Sequence, residues 1–134
     1  MRKGINVGAI ILVVFLQQVS GFIWYSPFAF GKLWMAAIGK DTEALKLNGA
    51  KPYIVSIIGS ILMCYVVAKV VSSFEARGFL SGIKVGFLLW IGLVLPVIGV
   101  SYFFAAQPFS LIWIDGGYAL LNILLAGGIL AEIK

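Results

Sequence analysis

Four long apolar runs, at about residues 5–25, 52–71, 82–105 and 110–131, dominate the chain, and only short stretches of charged and turn-forming residues separate them. Each run has about the 20 residues an α-helix needs to cross the hydrocarbon layer of a bilayer. Hydrocarbon offers no partner for an unpaired N–H or C=O, so segments of this kind fold as helices, which satisfy their backbones internally. The expected fold is therefore an all-α integral membrane protein, with residues 1–134 forming a single four-span domain. Composition points the same way. Apolar side chains make up 62% and charged ones 11%, against roughly 25% charged in soluble domains, and the mean hydropathy is +1.09. Met1-Arg2-Lys3 could open a signal peptide, but the run behind it exceeds a usual signal core, so it reads as a retained first span.

The first run ends in Trp24-Tyr25-Ser26-Pro27-Phe28-Ala29-Phe30-Gly31-Lys32-Leu33-Trp34. Aromatic rings beside a single lysine are the composition of a membrane–water interface, so the stretch reads as an elbow. Ser26 and Pro27 have the residue types of a helix N-cap and first helical position, which predicts an interfacial aromatic helix over about 27–38. A further short helical turn, capped by Asp41 and stopped by Asn48-Gly49, follows it.

Polar residues inside the runs carry the functional questions. Gln17 and Gln18 need hydrogen-bond partners at mid-span; they either bond a neighbouring helix or line a solute path. In span two Ser56, Ser60, Cys64 and Ala68 recur every fourth residue. Such a strip of small side chains lets another helix approach closely, within the bundle or in a homo-oligomer. Span three opens with Gly82 and Gly86 and contains Pro96, whose missing N–H predicts a kink near residues 92–96. Span four carries Asp115, with Tyr118 and Asn122 on the same helical face. An intramembrane acid suggests function by default; the alternative is interfacial hydration or pairing with Lys32 or Lys51.

Four spans place both termini on one side and bring the elbow and the third turn together on the other. Gln17, Gln18, Tyr25, Ser101, Tyr102, Asp115, Tyr118 and Asn122 then share that half, as a candidate polar cavity. Trp24, Ser26, Pro27, Phe30, Lys32 and Trp34 form its rim. Lys and Arg number six on the terminal side and four on the elbow side, a bias toward cytoplasmic termini.

The elbow resembles a pattern of Trp-Tyr-Ser-Pro, two apolar residues, Phe-Gly-Lys, one residue and Trp. That pattern belongs to an uncharacterised family of small prokaryotic membrane proteins, domain of unknown function 1761. Asp115-Gly116-Gly117-Tyr118 is similar to the family's Asp-Ala-Gly-Tyr-like run, with Gly116 departing from it. The resemblance implies four spans and a prokaryotic membrane and brings no activity with it; the expected location is the cell (inner) membrane.

With no histidine and one cysteine, the chain has no triad, no intrachain disulfide and no clustered metal ligands in sequence. No catalytic residue, metal or cofactor is assigned. The +5 net charge sits at the ends of apolar runs, where it suits phospholipid head groups better than nucleic acid. The expected function is a non-enzymatic helix bundle acting in membrane interaction or assembly, with membrane lipids and further copies of itself as partners. The alternative is a subunit of an oligomeric small-solute or ion transporter or channel built around Asp115.

Overall fold

A computed structural model describes residues 5–133; the charges expected at Arg2, Lys3 and Lys134 lie outside the described residues. Every regular element among those residues is helical. Helix α1 (Val7–Trp24) is opened by Asn6, whose side-chain oxygen accepts the Ala9 N–H at 3.0 Å. Helices α2 (Gly31–Ile38) and α3 (Thr42–Lys46) form the elbow, and α4 (Lys51–Ser73) returns across the bundle. The third span is α5 (Phe79–Leu89), a π-helical turn over Trp90–Val94, and α6 (Leu95–Phe104); α7 (Phe109–Glu132) is the fourth. Four helical segments of 18 to 26 residues are long and apolar enough to cross a membrane, about 27 to 39 Å at 1.5 Å per residue.

The elbow helix begins at Gly31, four residues later than the serine–proline signal predicts. Ser26 does not cap it: its hydroxyl donates back to the Ile23 carbonyl at 2.7 Å, in the helix already ending. The N–H groups of Phe30 and Gly31 donate to the carbonyls of Trp24 and Ser26, each at 2.9 Å, closing a turn before α2 starts. Gly31 lies against the Tyr25 and Ser26 carbonyls, where any β-carbon would collide. Glycine at this position lets the elbow fold flat. Asp41 caps α3 through the Ala44 N–H at 2.9 Å.

The proline in span three produces a widened turn. The Leu95 N–H donates to the Trp90 carbonyl, five residues back. Pro96 has no N–H and its ring crowds the carbonyl four residues earlier; a π turn loosens the helix at the point of conflict.

Helix α7 lies at the centre and touches α1, α2, α4, α5 and α6. Its closest partner is α5. Gly82 and Gly127 bring the two backbones into contact, and a β-carbon on Gly86 would lie 2.7 Å from the Ile123 carbonyl oxygen. At the end of this seam Glu132 accepts the Phe79 N–H at 3.0 Å, a carboxylate at a helix N-terminus where the macrodipole favours it.

The two halves of the bundle differ in chemistry. Toward the termini the core is apolar: Val13, Cys64, Val67, Val71, Val85, Ile123 and Ala126 are buried together. The small-residue strip of α4 serves this core, with Ser60 and Cys64 buried and Ala68 packed against it. Ser56, at the elbow end of the strip, is exposed. Outward faces carry Val55, Leu62, Val66, Leu93, Val97 and Val100 in exposed positions, a surface suited to lipid chains.

Candidate functional site

The elbow half is held by polar groups that bond to one another. Asp115, half-buried on α7, is at their centre. The Tyr25 hydroxyl donates to its Oδ1 at 2.6 Å, and the Tyr102 hydroxyl donates to its Oδ2 at 2.7 Å. Both distances lie at the short end of the O–H···O range. Tyr25 immediately follows α1 and Tyr102 lies near the end of α6, so one carboxylate joins the elbow, the third span and the fourth.

Two tryptophans fix the backbone on either side of it. The Trp24 indole N–H donates to the Ile114 carbonyl at 3.0 Å, and the Trp90 indole N–H donates to the Gly116 carbonyl at 2.9 Å. Trp90 also begins the π turn, so the side chain that opens the irregular stretch of span three reaches the residue after Asp115. Sequence reasoning passed over Trp90. The available signal was an indole N–H deep in an apolar run, which needs an acceptor from a neighbouring helix.

Tyr118 and Asn122 continue the same face of α7 toward α1. The Tyr118 hydroxyl donates to the Gln17 carbonyl at 2.8 Å. Gln17 Nε2 donates to the Asn122 carbonyl at 2.9 Å, and Ser20 Oγ reaches Asn122 Oδ1 at 3.3 Å. Gln18 bridges to α4: its Nε2 donates to Ser60 Oγ at 3.0 Å, and its Oε1 accepts from Ser56 Oγ at 3.0 Å. Gln17 Oε1 is fully enclosed and has no donor. Flipping the amide would set Gln17 Oε1 against the Asn122 carbonyl oxygen, so the observed orientation is the favourable one.

Around this network the aromatic rings converge. Tyr25 packs edge-on against Trp34 at 5.2 Å and Tyr118 at 5.3 Å between centroids, while Phe30 lies 4.7 Å from Trp24 and 5.1 Å from Trp113. Of the expected rim, Trp24, Phe30 and Trp34 contribute rings to this cluster; Ser26 shapes the turn, and Pro27 is exposed.

Two expectations are corrected. Ser101 is exposed on α6 and makes no side-chain hydrogen bond among the described residues, so it stands outside the polar set. Lys32 does not pair with Asp115, and neither does Lys51: the single ion pair among the described residues is Lys46 with Glu43 at 3.9 Å, both exposed. One tyrosine hydroxyl bonds each Asp115 oxygen, and Lys32 lies on the exposed side of α2. The polar side chains near Asp115 bond to each other, and an open groove of about 650 Å³ lies on the elbow, lined by Met35, Gly39, Lys40, Asp41 and Thr42 among others.

No curated protein and no solved structure matches the chain. A family pattern described as "Protein of unknown function (DUF1761)" matches residues 8–131. That match takes in the elbow, all four membrane-length helices and the Asp115 network, and the chain belongs to the DUF1761 family.

Proposed function

We propose that this protein is a non-enzymatic membrane bundle that holds its aromatic elbow as a fixed platform for interaction or assembly in the bilayer. The observation that carries this reading is the double bond of Asp115 to the tyrosines. Asp115 joins three segments, at 2.6 and 2.7 Å. The chain has no histidine, and the groups facing the carboxylate are two tyrosine hydroxyls that donate to it. Membrane lipids contact the exposed apolar faces. Homo-oligomerisation would use those faces too, because the α4 strip is filled by α1 and α7.

The test is reconstitution. Vesicles containing the wild-type protein should lose an imposed proton or potassium gradient no faster than protein-free vesicles, while cross-linking in the same vesicles yields dimers or larger species. Fast gradient loss that Asp115→Asn abolishes would overturn this reading. It would favour a second one, a subunit of an oligomeric transporter or channel, which draws its support from Gln17 Oε1, a buried oxygen without a donor.

The setting we infer is a prokaryotic inner membrane with cytoplasmic termini, supported by the six-to-four lysine and arginine bias. Labelling is best done at Leu47→Cys and Phe74→Cys, which are exposed. Gly49 and Gly78 have φ of +61° and +88° and would be strained by a side chain. In a Cys64→Ala background, an impermeant thiol reagent should reach position 47 from outside; reaction at position 74 instead reverses the orientation.

A further inference from the structure

The Asp115 carboxylate, two tyrosine oxygens and the aromatic rings around them have a composition that goes beyond a structural link. We propose that this cluster binds an ammonium group, carried by the head group of an amine-bearing phospholipid or by a free organic amine. This deepens the membrane-interaction reading and rests on it for the lipid source alone.

The argument begins with charge. Asp115 has no cationic partner among the described residues, and two hydroxyl donors only partly offset a carboxylate taken out of water. A carboxylate has about four acceptor positions; Tyr25 and Tyr102 fill one on each oxygen. Each tyrosine oxygen is used as a donor here and retains acceptor capacity. The donors that could have competed point elsewhere, since the indole N–H groups of Trp24 and Trp90 are committed to the Ile114 and Gly116 carbonyls and the Tyr118 hydroxyl to the Gln17 carbonyl. What remains is a set of unfilled acceptors around a negative charge, which selects a cation with several N–H donors.

The surroundings select the same ligand. Tyr25, which bonds the carboxylate, packs its ring against Trp34 and Tyr118, and aromatic rings attract ammonium groups over short distances. Asp115, Tyr25, Tyr102 and Tyr118 are all half-buried, so the cluster can be reached. It lies where the elbow meets the third turn, the height at which aromatic belts meet lipid head groups. A bare sodium ion would gain less from the rings and would seek more oxygen ligands than this corner provides.

The probe is ethanolammonium chloride, titrated into the detergent-solubilised protein with tryptophan fluorescence as the readout and sodium chloride at equal ionic strength as the control. Saturable binding is expected for ethanolammonium, weakened about tenfold or more by Asp115→Asn, as loss of a charge-assisted contact implies. Tyr102→Phe removes one of the tyrosine oxygens of the cluster and should weaken binding about threefold or more, whereas Gly99→Ala, with nothing within 4 Å of its added methyl, should leave it unchanged. No saturation in the folded wild type, an equal response to sodium, or indifference to Asp115→Asn would each overturn the proposal. Should Asp115→Asn fail to fold, NMR on the wild type decides. Shifts centred on Asp115 and Tyr25 support the site, and shifts confined to the Lys40–Thr42 groove refute it. Repeating the titration in nanodiscs identifies the source: a response diminished in phosphatidylethanolamine relative to phosphatidylglycerol assigns the site to lipid, and an equal response assigns it to the free amine. Vesicle gradients are read separately, so a failed ammonium site leaves the platform reading standing.

Discussion

Tyr102→Phe deletes one hydroxyl and keeps the ring, so it isolates the 2.7 Å bond to Asp115. A hydrogen bond to a charged group contributes about 1.5–3 kcal/mol. Asp115 is half-buried and water can replace part of what is lost, which places the expected destabilisation near the lower end, about 1.5–2 kcal/mol. In an Asp115→Asn background the same substitution removes at most a neutral bond, about 0.5–1.5 kcal/mol. The difference, about 1 kcal/mol, is the coupling between the hydroxyl and the charge, and a double-mutant cycle reads it directly. Equilibrium unfolding of the four proteins in mixed micelles, followed by tryptophan fluorescence and circular dichroism, provides the cycle. Tyr25→Phe gives an independent leg, because its ring contacts with Trp34 and Tyr118 survive. If Tyr102→Phe costs the same in both backgrounds, within about 0.3–0.5 kcal/mol, the carboxylate is not what holds the tyrosine and the central joint of this structure is misassigned.

The glycines yield a signed contrast. A methyl on Gly86 would stand 2.7 Å from the Ile123 carbonyl oxygen, whereas nothing lies within 4 Å of one on Gly99. Gly86→Ala should therefore destabilise by about 1–3 kcal/mol through overpacking, and Gly99→Ala should be neutral or stabilise by up to about 1 kcal/mol through helix propensity; melting temperatures that rank them the other way would refute the close α5–α7 seam. Ala106 holds φ +55° after α6, with the Gln107 N–H closing back onto the Tyr102 carbonyl at 2.9 Å, the arrangement glycine prefers. Ala106→Gly is expected to raise stability by about 0.5–1 kcal/mol, and thermal unfolding in detergent is sufficient to measure it.

Local chemistry was legible in the sequence where it acts locally. Apolar runs and membrane-length helices end within three residues of one another, because desolvation of the backbone leaves a long apolar segment one regular solution. The face shared by Asp115, Tyr118 and Asn122 was readable from helical spacing alone. Choices among distant partners were not. Tyr25 and Asp115 are 90 positions apart, and nothing in the sequence ranks a tyrosine hydroxyl above the Lys32 ammonium as the partner of that carboxylate; the direction in which α2 turns its lysine decides it. The start of α2 was misplaced for a related reason. Ser26 and Pro27 carry the right residue types for a helix start, but the serine hydroxyl turns back to Ile23 and close approach at Gly31 moves the boundary. Trp90 escaped notice because its acceptor exists only once α7 stands beside it.

The two indole bonds to α7 have a mechanical consequence. Ile114 and Gly116 are two residues apart and hence about 200° apart around the helix, so Trp24 and Trp90 grip α7 from nearly opposite sides. If α7 turned about its axis or advanced by the 1.5 Å of a single residue, both carbonyls would leave their indoles together. The fourth helix is thus keyed like a shaft in its bearing, and a movement that keeps both bonds must carry α1, the third span and α7 together.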